Sequence, residues 1–145
     1  MSHSTAQKYE KEYIVQSSDI DQLGHVNNVV YLQWVQDIAT EAWNATATEE
    51  QKANLLWVVA RHEIDYKRPA FEGEKVIIRT WVGKANDKWF ERFTEVCRKR
   101  DDKVVIKALT FWAPIDAKTM RPTIPGDDVY KSFAVSKDGN SQKTS

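Results

Sequence analysis

No sign of charge prevails in this sequence, cysteine is almost missing from it, and its apolar runs are short. Each of these absences excludes something. With 21 Lys plus Arg against 21 Asp plus Glu, the formal net charge is zero. The chain therefore has no global field to draw it to nucleic acid or anionic lipid, although a local basic patch is compatible with such a balance. A lone Cys97 can close no internal disulfide and build no multi-cysteine zinc site. The strongest apolar run, Leu55 to Ala60, is far short of the roughly 20 residues that a spanning helix needs. Met1 to Glu12 is polar and lacks the apolar core of a secretory signal, so the expected location is the cytoplasm. No internal repeat or low-complexity linker divides the chain.

What is present is ordinary, with one exception. The chain has 145 residues, 41% hydrophobic and 29% charged, which is enough for one core and not for two. Six tryptophans are the oddity. So much ring surface must be buried in a core, in a ligand groove or against another subunit. Residues 1–8 and 136–145 lack apolar anchors and read as loose ends, leaving a folded unit over 9–135.

The hydrophobic pattern changes period along the chain. A short extended segment over 9–17 leads into the polar turn SSDIDQLGH. A long helix is expected over 28–44, because Tyr31, Val35, Ile38, Ala39 and Ala42 fall on one face at about 100° per residue. Trp34 and Trp43 stand at its margins, and Asn27 or Asn28 can cap its start. TATEEQKAN adds a short helical turn or a loop. From Leu55 onward the pattern alternates, with Arg61, Glu63, Asp65 and Lys67 on one face and His62, Ile64 and Tyr66 on the other. Further strands are expected over 75–84, 89–100 and 104–114, separated by Ala85-Asn86-Asp87 and Asp101-Asp102. Connections this short imply antiparallel hairpins. The class is therefore α+β, a sheet wrapped on a single long helix. The other sheet face needs a cover, which a second copy of the chain supplies.

The chemistry concentrates before the helix, in Ser18-Asp19-Ile20-Asp21-Gln22-Leu23-Gly24-His25-Val26-Asn27-Asn28. A helix N-terminus carries about half a positive charge and can hold a developing oxyanion. A carboxylate beside it can attack an acyl carbon or take a proton from water. Gly24 allows a sharp turn and a close approach to the backbone. The plain alternative is that these residues only cap the helix, which is the commoner role of Asp and Asn there. Asp19 reads as such a turn residue.

Asp21-Gln-Leu-Gly24-His25-Val26-Asn27-Asn28-Val-Val-Tyr31, with Trp34, resembles the signature of the hotdog-fold thioesterases, in particular the 4-hydroxybenzoyl-CoA thioesterase group. The His-Val-Asn-Asn-x-x-Tyr stretch is also similar to that of acyl-ACP thioesterases. Ile64-Asp-Tyr66-Lys-Arg-Pro69-Ala70-Phe-Glu-Gly73 resembles the family's second strand and turn. The segment from Phe111 to Pro125 resembles its last strand and exit loop. The resemblance implies a long central helix wrapped by a curved five-stranded antiparallel sheet, in a homodimer or homotetramer with acyl sites between subunits. It further implies hydrolysis of an acyl-CoA or acyl-ACP thioester without metal or organic cofactor. Asp21 then matches the catalytic aspartate, as nucleophile or general base. The backbone amides of Gly24 and Asn28 would polarise the thioester carbonyl. His25 matches a histidine of the acyl-ACP branch and Tyr31 a packing or pocket residue. That branch has asparagine where this chain has Leu23, which favours coenzyme A as carrier. A non-catalytic acyl-CoA-binding module is the reading from another class, and a hotdog hydratase or dehydratase has no comparable motif here.

Other candidates have plainer readings. Asp37 and Glu41 share the polar helix flank and could serve a site across a dimer, or simply face solvent. His62 and Glu63 point to opposite strand faces. Lys84, Lys88, Arg98, Lys99 and Arg100 near hairpin ends could meet coenzyme A phosphates or only solubilise the chain. Cys97 is expected as a core filler, and Trp57, Trp81, Trp89 and Trp112 as core or groove lining. His3 is assigned no role.

Overall fold

The computed structural model describes residues 8–133. The loose ends expected over 1–8 and 136–145 lie outside the described residues, apart from Lys8, whose ammonium sits 4.8 Å from the ring centre of Trp81. Five strands form one sheet: β1 (Tyr9–Ile14), β2 (Leu55–Tyr66), β3 (Lys75–Ala85), β4 (Phe90–Arg98) and β5 (Val104–Asp116). Their spatial order is β1-β3-β4-β5-β2, and every pairing is antiparallel. Three helices accompany them, α1 (Asn28–Thr46), α2 (Glu49–Asn54) and α3 (Asp127–Ser132). This is the α+β arrangement that the sequence pattern predicts, and the hotdog fold that the family resemblance implies. Among the described residues no helix is long and apolar enough to cross a membrane.

The helix α1 starts where Asn27 caps it, its Oδ1 accepting the Val29 amide at 2.9 Å. It buries Tyr31, Trp34, Val35, Ile38, Ala39 and Ala42, the predicted face with one addition. Trp34 is a core residue and not a marginal one, because the edges of the Tyr13 and Tyr31 rings close on it at 5.0 and 5.2 Å. The helix runs two residues past the expected end, and Thr48 and Gln51 then cap α2 reciprocally.

Beneath α1 the buried residues fall into two groups. One gathers Val15, Val26, Tyr31, Val35, Val76, Val96 and Ile106 at the N-terminal end of the helix. The other gathers Leu55, Val82, Phe90, Val129, Tyr130 and Phe133 at its C-terminal end. Polar side chains on the same sheet face lie along the strands between them. Thr80, Arg92, Thr94 and Thr110 are all buried, and His62 Nδ1 lies 2.8 Å from Thr110 Oγ1.

Strand β2 carries an irregularity that decides what faces inward. Val59 pairs with Trp112 and Arg61 with Phe111, so Ala60 is an extra residue without a partner. One inserted residue shifts a two-residue period by half. His62 and Ile64 point toward the helix on one side of the bulge, and Leu55, Trp57 and Val59 do so on the other. A second difference from the expected pattern lies in β4, which begins at Phe90. The Asn86 side chain holds the Lys88 and Trp89 amides at 2.8 and 2.9 Å, keeping Trp89 in the turn.

The short α3 was not anticipated from the pattern. It has six residues and closes the C-terminal core group with Val129 and Tyr130, followed by Phe133. Gly83, in β3, lies under the Phe93 ring so closely that an added Cβ would stand 2.5 Å from it. That ring stacks on Trp81 on the sheet face away from α1.

Candidate active site

The turn between β1 and α1 is held by its own backbone. The Asp21 amide donates to the His25 carbonyl at 2.8 Å, and the Gly24 amide returns to the Asp21 carbonyl at 3.1 Å. Gly24 has φ +86° and open space around its Cα, a conformation that glycine adopts without strain. Asp19 is buried and structural. Its Oδ2 accepts the Tyr13 hydroxyl and the Gln16 amide, each at 2.8 Å, and it holds the tyrosine in its neutral form with a pKa pushed up to about 12, mainly by burial. The reading of Asp19 as a turn residue agrees with this placement.

Asp21 is different. Its Oδ1 accepts the Leu23 amide at 2.8 Å and the His25 amide weakly at 3.4 Å. Its Oδ2 has no donor among the described residues. The side chain lines an open depression with Ile20, Gln22, Leu23 and Asn27. Of the amides in the first turn of α1, Val29 is taken by the Asn27 side chain and Val30 and Tyr31 by the Asn27 carbonyl. Only the Asn28 amide has no acceptor there among the described residues. Gly24 and Asn28, expected to act alike, thus differ: the first amide is occupied within the turn and the second is available.

His25 is half-buried, with its ring edge-on to Phe71 at 5.4 Å. Tyr31 is 3% exposed and packs against Trp34 and Tyr66 beneath the turn. Of the packing and pocket roles expected for it, this placement shows packing within the protomer. A backbone group of Ala70 approaches its hydroxyl without meeting hydrogen-bond geometry, leaving that oxygen without a partner. Burial pushes the Tyr31 pKa up to about 12.

The remaining candidates stand apart from this turn. Glu41 is ion-paired with Lys11 at 2.6 Å, and Asp37 is exposed and accepts from Gln33 at 2.9 Å. His62 lies under α1, where burial lowers its pKa. Arg98, Lys99 and Arg100 are paired with Asp101, Glu12 and Glu74. Cys97 is buried, which raises its thiol pKa and suits a core residue. Of the tryptophans, Trp81 and Trp89 pack on Phe93 and Phe111 outside the core. Trp57 and Trp112 instead line an interior cavity with Trp43 and Phe90. This second site, and Arg92 within it, carried no motif. The signal available in the sequence was the tryptophan excess alone. Among the described residues no three His, Cys, Asp or Glu side chains are grouped as a metal site would require.

Comparison with known proteins agrees with this fold. An acyl-[acyl-carrier-protein] hydrolase of the chloroplast from Cuphea viscosissima is 27% identical over 82 residues, 57% of this chain and 20% of that one. The match thus spans about a fifth of the length of that curated relative. A 1,4-dihydroxy-2-naphthoyl-CoA thioesterase from Synechocystis superposes with TM-score 0.76 at 15% identity, over 88% of this chain and 96% of that one. A Staphylococcus aureus protein solved in complex with CoA gives TM-score 0.80 at 13% identity, over 92% and 86%. At such identities the structures establish the shared fold. Residues 15–133 match the thioesterase-like superfamily. A match over nearly all of the described chain, on this fold, makes the protein a member of the thioesterase-like superfamily.

Proposed function

We propose that the protein is an acyl-CoA thioesterase, cleaving an acyl thioester to the free acid and coenzyme A, with Asp21 as the catalytic carboxylate. The observation that carries this reading is the unpartnered Oδ2 of Asp21 in an open depression, next to a helix start with one unpaired amide. As a nucleophile, Asp21 attacks the acyl carbon, the C–S bond breaks, and the thiolate leaves to take up a proton. Water then hydrolyses the resulting anhydride. As a general base, Asp21 instead takes a proton from water, whose oxygen attacks the same carbon, and the leaving thiolate receives the proton. On either route negative charge grows on the thioester oxygen, and the Asn28 amide at the positive end of α1 is the donor placed to meet it. The Gly24 amide serves this purpose indirectly, by holding the turn. His25, beside Asp21 in the turn, is the second catalytic candidate.

The site works in an oligomer on this reading. The depression is open in one protomer, and the sheet face away from α1 carries Trp81, Phe93 and Phe111, so a homodimer or homotetramer would close the one and cover the other. A second carrier is favoured by a specific finding: the Cuphea relative is an acyl-carrier-protein hydrolase by name. Both carriers present a thioester to the same carboxylate, and parallel assays with acyl-CoA and acyl-ACP separate them.

The test is release of free thiol from a panel of short, long and aromatic acyl-CoAs. Asp21→Asn keeps the shape and the hydrogen-bond acceptor but removes the base, so turnover should fall by about 10²–10⁴-fold with an unchanged melting temperature. Wild-type turnover in that variant would overturn the assignment. Binding without thiol release by the wild type would favour a non-catalytic module.

A further inference from the structure

The end of α1 remote from Asp21 holds a second, more enclosed site. From Asn28 to Trp43 the helix advances about 22 Å, and there a cavity of about 270 Å³ opens between α1 and the sheet. Its walls are the rings of Trp43, Trp57, Phe90 and Trp112. Arg92 stands in it, 7% exposed. Its guanidinium donates to Thr80 Oγ1 at 3.1 Å and lies 5.6 Å from the centre of the Phe133 ring. Among the described residues no carboxylate pairs with it. Lys52 is the other cation of the lining, at the rim, and the lining contains no Asp or Glu. The indole Nε1 atoms of Trp57 and Trp112 are buried and have no acceptor among the described residues.

These features share one chemistry. A guanidinium has five N–H donors and no acceptor, and an indole has one donor and no acceptor. Burying a charge with a single neutral partner is costly, and so is leaving indole N–H groups unmatched. Burial lowers the Arg92 pKa to about 10, so the group is still cationic at neutral pH. A bound molecule that satisfies the guanidinium must bring acceptor oxygens and negative charge, and a carboxylate matches its fork. The ring walls call for a flat or short apolar body, and the volume sits just under the usual range for small-molecule sites, about 300–1,000 Å³.

We propose that this cavity is a ligand site for a small carboxylate with an aromatic or short apolar body, held by Arg92 against the Trp57 and Trp112 rings. It does not depend on the identity of the thioester cleaved at Asp21.

The experiment titrates the full-length protein with benzoate and octanoate, against benzamide and octanol as neutral counterparts, by calorimetry and by the indole N–H resonances in ¹H–¹⁵N spectra. Trp57→Phe and Trp112→Phe assign the two resonances. The carboxylates should bind at least tenfold more tightly than their neutral counterparts and shift the Trp57 and Trp112 N–H signals. Arg92→Met should lower carboxylate affinity at least tenfold without loss of fold. Should that variant not fold, Arg92→Lys keeps the charge, removes the fork, and should still weaken binding severalfold. Saturation by neither carboxylate at millimolar concentration, equal affinity for the neutral counterparts, or unchanged binding in the folded Arg92 variant overturns the proposal.

Discussion

The two ends of α1 are built on opposite principles. At the N-terminal end the side chains that matter are exposed or half-buried, and backbone hydrogen bonds within a single turn place them. At the C-terminal end they are buried, and residues from α1, four strands and the segment after α3 must come together to place them. A site made by one local turn can lose a side chain without disturbing the fold. A site made by distant elements shares its residues with the core, so its variants report on stability and binding together.

That contrast can be tested from the middle outward. The largest stability effect is expected at Ile38, which is 0% exposed beneath the centre of α1. Ile38→Ala should cost about 2–5 kcal/mol, read from chemical denaturation, and should weaken both ends. Asp21→Asn, by comparison, should move turnover and leave that curve in place. A smaller effect belongs to Asn27→Ala, which removes the α1 cap and should cost about 1 kcal/mol. Because only the side-chain bond to the Val29 amide is lost, while the backbone bond from Asn27 N–H to the Asp19 carbonyl at 2.9 Å remains, this loss should be concentrated at the N-terminal end. Hydrogen exchange should therefore quicken in residues 28–31 more than around Trp43.

The smallest effect concerns pH and the polar row between the two core groups. Burial lowers the folded-state pKa of His62 below its ordinary 6.5. In acid the unfolded chain therefore binds the proton first, and stability falls as pH drops from about 6.5 toward the folded pKa, below which this loss is constant. His62→Gln should flatten that part of the melting-temperature profile between pH 7 and 5. An unchanged profile would show that His62 titrates alike in both states.

Much of the fold was legible because its signals are local or periodic. The apolar face of α1 repeats over about three turns, Asn27 is a good cap, and the β2 alternation holds on each side of its bulge. The Asp21 turn was legible for a similar reason, since its acceptors, glycine and histidine are contiguous. What escaped has no contiguous signal. The six residues of α3 are too few for a helical period to show, and its role is to bring Val129 and Tyr130 under Phe90. Arg92 lies in an alternating strand at a position where an apolar residue would be expected. Its meaning depends on Thr80, Trp57 and Phe133, which come from β3, β2 and the chain's far end. The amides of Gly24 and Asn28 also look equivalent in sequence, and only the 3.1 Å bond to the Asp21 carbonyl separates them.

The unpaired Ala60 has a consequence for how the second site keeps its wall. Upstream of it, odd-numbered positions of β2 face the helix; downstream, even-numbered ones do. Ala60 thus works as a phase shifter between two stretches of one strand. The bulge is what lets Trp57 face the cavity, since it takes up one residue of length without turning either stretch over. Deleting Ala60 would join Val59 to Arg61, still opposite Trp112 and Phe111, so that β2 would alternate without a break and Trp57 would stay inward. The half of the strand carrying His62 and Ile64 would keep its place. One unpaired residue thus reconciles the two interiors on a single sheet face, and its removal should leave both in place.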